Sequence, residues 1–212
     1  MVTKTPMRAL LGRSPVIPVL VVNDVADAAP LAEALVAGGL EVLEVTLRTP
    51  VALQVLQAMR AAVPNAVVGA GTVNTPQQMA AAAEAGAAFA VSPGTTDALV
   101  AAARDHAMPF LPGATTASEV LRGMELGLDA LKFFPAEAAG GARLIKSWAS
   151  PLESVVFCPT GGITPANARD YLKLPNVACV GGSWVTPSDA VSGRDWGAIE
   201  ALARQAVQLG GS

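Results

Sequence analysis

The sequence predicts an α/β fold in which one (β/α)₈ barrel, a TIM barrel, spans residues 1–212, with a short N-terminal helix near residues 6–11. Short β-branched runs alternate eight times with Ala- and Leu-rich amphipathic segments, a pattern typical of a parallel sheet covered by helices. Several of the runs are continuously apolar, as buried parallel strands are. A chain of 212 residues can also hold one barrel, and it contains no low-complexity linker.

The predicted strands are short apolar runs, and four of the eight are followed directly by Gly, Pro or Thr. In chain order they are residues 16–22, 42–47, 66–72, 88–91, 109–111, 130–134, 155–159 and 177–180. The helices predicted to follow them are residues 25–37, 50–62, 76–85, 96–106, 117–126, 142–148, 165–172 and 196–209. Asp24 is placed to cap the first of these helices, and Pro50 fits the first turn of the second. An open doubly wound sheet would show the same alternation, but eight units in so short a chain favour the closed barrel.

Composition excludes several classes of partner. The net charge is −3 and the Lys and Arg residues are scattered, so a nucleic-acid partner is not expected. No run reaches the roughly 20 apolar residues of a membrane span. Residues 1–13 lack the apolar stretch of a signal peptide, which predicts a cytoplasmic protein. Cys158 and Cys179 lie in apolar segments and are expected to be free, buried thiols, although a disulfide between two strands is not excluded.

Catalytic side chains of such barrels lie at the carboxyl ends of the strands. Lys132 is the one lysine of four that falls within an apolar predicted strand, Leu131-Lys132-Phe133-Phe134-Pro135. A buried ammonium is costly unless it is paired or neutralised, and a neutral amine can attack a carbonyl. Position alone does not separate this nucleophile from a structural lysine paired with an acid.

Glu44, Thr46 and Arg48 alternate along the second predicted strand and are therefore expected to face the barrel interior. A carboxylate inside a barrel suits general acid/base chemistry, and an arginine near the strand end suits a substrate carboxylate. A structural ion pair of Glu44 with Arg48 or Lys132 is the alternative interpretation.

Paired glycines follow the seventh and eighth predicted strands, in Thr160-Gly161-Gly162 and in Gly181-Gly182-Ser183. Backbone N–H groups at such glycines can approach an anion closely, and barrels often bind phosphate at these two strand ends. The pair of motifs therefore predicts a phosphate site. Residues 69–72 (GAGT) resemble part of a dinucleotide fingerprint, but the third glycine is missing.

Other chemistries lack the residues that they need. The single histidine, His106, falls near the end of the fourth predicted helix and is expected at the surface. No grouping of His, Asp and Glu predicts a metal site, and no Gly-x-Ser-x-Gly motif is present. We therefore expect neither a metal nor another cofactor.

Together these motifs resemble those of the 2-keto-3-deoxy-6-phosphogluconate (KDPG) and 2-keto-4-hydroxyglutarate (KHG) aldolase family. The resemblance covers nearly the whole chain and is highly specific. The matching segments are residues 15–19 (PVIPV), 35–39 (LVAGG), 44–48 (EVTLR), 69–73 (GAGTV), 92–94 (SPG), 132–137 (KFFPAE), 158–163 (CPTGGI) and 181–184 (GGSW).

The resemblance implies a homotrimeric class I lyase that cleaves the phosphorylated 2-keto acid KDPG to pyruvate and glyceraldehyde 3-phosphate. It implies that Lys132 forms the Schiff base, that Glu44 is the general acid/base and that Arg48 lies near the pyruvate carboxylate. The remaining residues that it places around the substrate are Thr72, Pro93, Thr160, Gly161, Gly162, Gly181, Gly182 and Ser183. Alternatives are an aldolase for KHG or for the galactonate epimer, or a phosphate-binding barrel without catalysis.

Overall fold

The computed structural model describes residues 6–210, which form parallel strands surrounded by helices. The strands are β1 (Val16–Leu20), β2 (Val42–Thr46), β3 (Val67–Gly71), β4 (Ala90–Val91), β5 (Phe110–Leu111), β6 (Gly113–Ala114), β7 (Ala130–Phe133), β8 (Val156–Pro159) and β9 (Val180–Gly182). The helices are α1 (Met7–Leu11), α2 (Ala28–Ala37), α3 (Ala52–Ala62), α4 (Pro76–Glu84), α5 (Asp97–Asp105), α6 (Ala117–Glu125), α7 (Gly141–Ser147), α8 (Ala168–Leu172), α9 (Ser188–Ser192) and α10 (Trp196–Val207).

The strands close into the predicted (β/α)₈ barrel. They pair in the orders β5-β4-β3-β2-β1-β9 and β6-β7-β8. The two sheets join at β5 and β6, which are halves of one strand interrupted at Pro112, a residue that has no N–H to donate. They join again through parallel bridges that pair Phe157 with Val177 and Thr160 with Gly181.

Strand alternation sorts the apolar side chains into an outer and an inner cluster. Leu43 and Leu131 belong to the outer cluster, between strands and helices. Val42, Ala130 and Val156, the first residues of β2, β7 and β8, belong to the inner cluster. The apolar side chains of α1 that join the inner cluster are Met7, Leu10 and Leu11. The amino-terminal end of the barrel is therefore filled, and side chains two positions further along these strands lie above an apolar floor.

Two differences from the predicted boundaries affect the site. The second strand ends at Thr46, so Arg48 lies in the following turn and is exposed, whereas the sequence placed it on the strand facing inward. The eighth strand was expected at 177–180, but β9 begins at Val180 and includes Gly181 and Gly182, which pair with β1. Glycine lowers the propensity for strand, and this local signal was overridden by the neighbouring strand.

The helices differ from prediction in smaller ways. Asp24 accepts a hydrogen bond from the Ala26 N–H, as an N-cap does, and the capped segment is a 3₁₀ turn that leads into α2. Pro50 precedes α3 by two residues instead of lying in its first turn. Helix α9 was not predicted, because five residues are too few to show a helical period. None of the helices within residues 6–210 is both long and apolar enough to cross a bilayer.

Candidate active site

Lys132 lies on β7 with its side chain in the barrel interior. It is two residues beyond Ala130 and pairs in register with Gly113 and Cys158 on the adjoining strands. The residue is 4% exposed. Lys146 and Lys173 are exposed, and Lys4 lies outside the described residues. Within residues 6–210, Lys132 is therefore the buried lysine, as its apolar surroundings in the sequence predicted.

Glu44 faces Lys132 across the barrel. Glu44 lies on β2, two residues beyond Val42, and its Oε1 is 3.5 Å from the Lys132 Nζ. The two side chains are 5% and 4% exposed, so this is a buried ion pair. The ring of Phe134 lies on another side, with its centroid 5.2 Å from Nζ. The amine thus has one carboxylate beside it and is shielded from bulk water.

Small neighbours make room for this carboxylate. Gly71 lies on β3, and a methyl group added to it would overlap the Glu44 carboxylate. Thr46, on the same face of β2 as Glu44, is 1% exposed and donates from Oγ1 to the Leu20 carbonyl at 2.7 Å. Sequence analysis did not single out Gly71 as part of the site. The available signal was the position of Gly71 on the strand beside β2, on the side occupied by Glu44, where a small residue leaves room for the carboxylate.

Arg48 lies at the rim of the barrel. Its Nε donates to the Oγ1 of Thr72 at 3.1 Å. Thr72 follows β3 with φ of 58°, a left-handed conformation that is uncommon for a β-branched residue and clusters at functional sites. Arg48, which the resemblance placed near the pyruvate carboxylate, and Thr72, which it placed around the substrate, are therefore in contact above the carboxyl ends of β2 and β3.

Pro93 lies in the loop after β4, close to the residue of β6 that pairs with Lys132. A methyl group on Gly113, which pairs with Lys132, would overlap the Pro93 carbonyl. The loop is further held by Thr95, whose Oγ1 donates to the Gly113 carbonyl at 2.8 Å. The absence of a side chain at position 113 lets this loop approach the site closely.

The loop after β8 presents backbone N–H donors. Gly161 and Gly162 have φ values of 98° and 77°. The carbonyls of Thr160 and Gly161 accept from the N–H groups of Ala136 and Glu137, at 2.8 and 3.1 Å. In a trans peptide the N–H points opposite to the carbonyl, so the N–H groups of Gly161 and Gly162 point away from these donors. The Gly162 N–H donates to no acceptor within residues 6–210, and the Gly161 N–H makes no hydrogen bond of normal geometry there, although the bridge between Thr160 and Gly181 directs it toward the Gly181 carbonyl.

The glycines of β9 have packing roles that the sequence did not reveal. A methyl group on Gly181 would overlap the side chain of Thr160, and one on Gly182 would overlap the indole of Trp184. Thr160, 7% exposed, is thereby brought beside the strand that carries Ser183. Ser183 is exposed, and its N–H also lacks an acceptor among the described residues.

A second polar pair that sequence analysis missed lies next to the glycine loop. Tyr171 on α8 is 1% exposed and its hydroxyl donates to the Glu137 carboxylate. Burial, and then the carboxylate that its hydroxyl bonds, raise the pKa of Tyr171 above its usual range, so the phenol remains a neutral donor. Glu137 ends the segment KFFPAE, but no pattern in one sequence indicates which tyrosine it would meet.

The two cysteines are free and buried, as expected. The pKa of the Cys179 thiol is raised well above its ordinary value by a hydrogen bond with Cys158 and by burial. Cys179 is therefore a neutral thiol and a poor nucleophile. Across residues 6–210 no three His, Cys, Asp or Glu side chains come close enough to hold a metal ion, and His106 is exposed at the end of α5.

Comparison with known proteins gives consistent matches along the chain. Residues 7–202 match the family model described as KDPG and KHG aldolase. The KHG/KDPG aldolase of Escherichia coli (strain K12) is 52% identical over 97% of this chain and 96% of its own. The crystal structure of KDPG aldolase from Legionella pneumophila, with pyruvate captured as a covalent carbinolamine intermediate, has a TM-score of 0.94 and 48% identity over 96% of this chain and 99% of its own. That of Zymomonas mobilis ZM4 with 3-phosphoglycerate has a TM-score of 0.92 and 51% identity, over 96% and 95%.

Proposed function

The chain belongs to the KDPG and KHG aldolase family, and from this premise we propose that it cleaves 2-keto-3-deoxy-6-phosphogluconate to pyruvate and glyceraldehyde 3-phosphate. It is an aldolase, and so a lyase. The observation that carries the assignment of chemistry to residues is the buried contact of 3.5 Å between the Lys132 amine and the Glu44 carboxylate. This contact places a nucleophile and a proton acceptor in one water-poor site.

Lys132 starts the reaction. Its neutral amine adds to the C2 ketone to give a carbinolamine, which loses water to form a protonated imine. The imine accepts the electron pair of the C3–C4 bond as that bond breaks, which leaves the enamine of pyruvate on the lysine. Protonation of C3 and hydrolysis of the imine then release pyruvate and restore the amine.

Glu44 moves the protons. As the C3–C4 bond breaks, the C4 hydroxyl must lose its proton to become the aldehyde, and the Glu44 carboxylate accepts it directly or through a water. Its place beside Nζ also suits proton transfer during formation of the carbinolamine and loss of water from it. Because the Glu44 carboxylate can reach both the C4 hydroxyl and the Lys132 Nζ, one side chain can serve several proton transfers.

The rim holds the pyruvate end of the substrate. Arg48, oriented by its hydrogen bond to Thr72, offers a guanidinium to the C1 carboxylate. Thr160 and Pro93 border the same space, because Thr160 follows the strand next to Lys132 and the Pro93 loop covers Gly113. The carboxylate end is thus fixed while C2 lies within reach of the amine.

The phosphate end binds at the carboxyl ends of β8 and β9 in this proposal. The N–H groups of Gly161, Gly162 and Ser183 supply donors to phosphate oxygens. The bridge between Thr160 and Gly181 brings the two loops together. Gly181 and Gly182 contribute by letting Thr160 and Trp184 pack closely, which keeps this corner compact.

Cleavage of 2-keto-4-hydroxyglutarate is a second candidate activity. The relative from E. coli is named for both substrates. In KHG a carboxylate replaces the phosphorylated end, so the imine chemistry at Lys132 is unchanged and only the distal anion differs. The galactonate epimer of KDPG differs in configuration at C4. Its cleavage therefore depends on whether Glu44 can reach the C4 hydroxyl in that configuration.

The activity is tested by following pyruvate release from KDPG, KHG and the galactonate epimer. We expect KDPG to give the highest kcat/KM. Lys132→Arg keeps the positive charge but cannot form an imine under these conditions, so it should abolish release. Lys146→Arg is the matched control on an exposed helix and should leave it unchanged. A barrel that only binds phosphate would release no pyruvate from any of the three.

We further propose that the protein is a cytoplasmic homotrimer without a metal or other cofactor. The family resemblance supports the trimer. Sedimentation equilibrium should give a mass three times that of the 21.4 kDa chain. Activity should survive dialysis against EDTA.

A further inference from the structure

Glu137 and Tyr171 lie behind the glycine loop after β8, on the side opposite its N–H groups. The Glu137 N–H donates to the Gly161 carbonyl at 3.1 Å. The Glu137 side chain also lies against Gly162, because a methyl group on that glycine would come within 2.7 Å of Cγ and 2.8 Å of Cβ of Glu137. Glu137 therefore contacts Gly161 through its backbone N–H and Gly162 through its Cβ and Cγ atoms.

The carboxylate of Glu137 is held in turn by the core. The Tyr171 hydroxyl donates to Oε1, and the tyrosine ring is buried in the cluster between strands and helices. A methyl group on Gly141, the first residue of α7, would lie 3.4 Å from both of these oxygens. The start of α7 thus leaves just enough room for the pair, although Glu137 itself is an exposed residue.

We propose that Glu137, anchored by Tyr171, is a positioning residue that holds the Gly161–Gly162 loop with its N–H groups directed at the substrate phosphate. The inference rests on the proposed function, since it assigns a task to the loop in binding the phosphorylated end. Neither residue touches the substrate or Lys132 in this account.

The hydrogen bond from Tyr171 also keeps the negative charge of Glu137 away from the substrate phosphate. A free carboxylate beside a phosphate site would repel the ligand, and more strongly where water is excluded. Hydrogen bonding to the buried hydroxyl fixes the carboxylate and prevents it from turning toward the anion. The tyrosine therefore has two effects, since it stabilises the loop conformation and keeps the negative charge in place.

Tyr171→Phe tests the proposal, because it removes the hydroxyl and keeps the buried ring. We expect kcat/KM for KDPG to fall about 10-fold, the size of one lost hydrogen bond to a charged group, mainly through KM. For 2-keto-3-deoxygluconate, which has no phosphate, the change should stay within about 2-fold. Inhibition by inorganic phosphate should weaken in parallel with the loss on KDPG.

Variants of Glu137 separate anchoring from charge. Glu137→Gln can still accept from Tyr171 and pack on Gly162, so it should retain most of the preference for KDPG over the unphosphorylated acid. Glu137→Ala loses both contacts and should reproduce Tyr171→Phe. Glu84→Gln, an exposed glutamate on α4, is the control.

Equal losses on the two substrates in both Tyr171→Phe and Glu137→Ala would overturn the proposal and leave the pair a role in folding alone. Unchanged kinetics on KDPG in both variants would overturn it as well. Reduction with borohydride in the presence of pyruvate should label each variant as it labels the parent protein. Failure of the parent to be labelled would instead count against the proposed function.

Discussion

The Glu44 carboxylate occupies the space that a side chain at Gly71 would fill. The two residues lie on adjacent strands, with Glu44 paired to Gly69 and Gly71 paired to Thr46. A bare α-carbon on β3 therefore lets the carboxylate turn toward Nζ of Lys132. The reach of the proposed general base, Glu44, therefore depends on a residue that has no functional group of its own.

Gly71→Ala should displace Glu44 from this position. The added methyl group overlaps the carboxylate, so the Glu44 side chain must rotate away from Lys132 or the strands must separate. We expect kcat to fall about 10²-fold, the lower end of what general acid/base catalysis contributes. The matched control is Gly197→Ala on α10, where the new methyl group comes no closer than 3.7 Å to a neighbour. Normal kcat in Gly71→Ala would show that the carboxylate can serve from elsewhere.

Glu44→Gln should separate imine formation from bond cleavage. The amide keeps the shape of the side chain but cannot take the C4 proton, so cleavage of KDPG should slow by about 10²–10⁴-fold. The substitution leaves the Lys132 amine in place and able to add to pyruvate. Trapping of pyruvate should therefore remain largely intact. A Gln variant with normal turnover would rule out the proton-transfer role.

Strand alternation predicted that Glu44 faces the barrel interior, because a period of two applies wherever a strand is regular. Arg48 was misplaced because the strand ends at Thr46, two residues before it. The contact of Gly71 with Glu44, and that of Tyr171 with Glu137, join residues that are far apart in sequence. Their pairing depends on barrel register and on helix packing, neither of which leaves a local pattern in one chain.

Gly162→Ala should impair use of the phosphate. The position has φ of 77°, and a methyl group there would also press on the Glu137 side chain. The left-handed conformation alone costs about 1–2 kcal/mol for a residue with a Cβ. We expect a larger loss of kcat/KM on KDPG than on 2-keto-3-deoxygluconate, with pyruvate trapping preserved. Equal losses in a variant that unfolds at the normal temperature would place the phosphate elsewhere.

Tyr171 should make stability depend on pH in the alkaline range. Its pKa is raised by burial and by the Glu137 carboxylate, so the folded protein favours the neutral phenol. The free energy of unfolding is unaffected below the pKa of an unfolded tyrosine, about 10, and falls as pH rises beyond it toward the folded value. Tyr171→Phe should lose stability less steeply above pH ~10.

Absorbance of tyrosinate gives a direct check, because the chain has a single tyrosine. Folded protein should show no ionisation at pH ~10, whereas protein in urea should titrate normally there. Ionisation near pH ~10 in the folded state would mean that the hydroxyl is not held as described.

The central claim is that Lys132 forms a Schiff base with a 2-keto acid, and covalent trapping tests it most directly. The protein is incubated with pyruvate, reduced with borohydride, digested and analysed by mass spectrometry. We predict one reduced pyruvate adduct, on the peptide that contains Lys132, and none in Lys132→Arg. An adduct on Lys4, Lys146 or Lys173 instead, or no pyruvate-dependent adduct at all, would contradict the account.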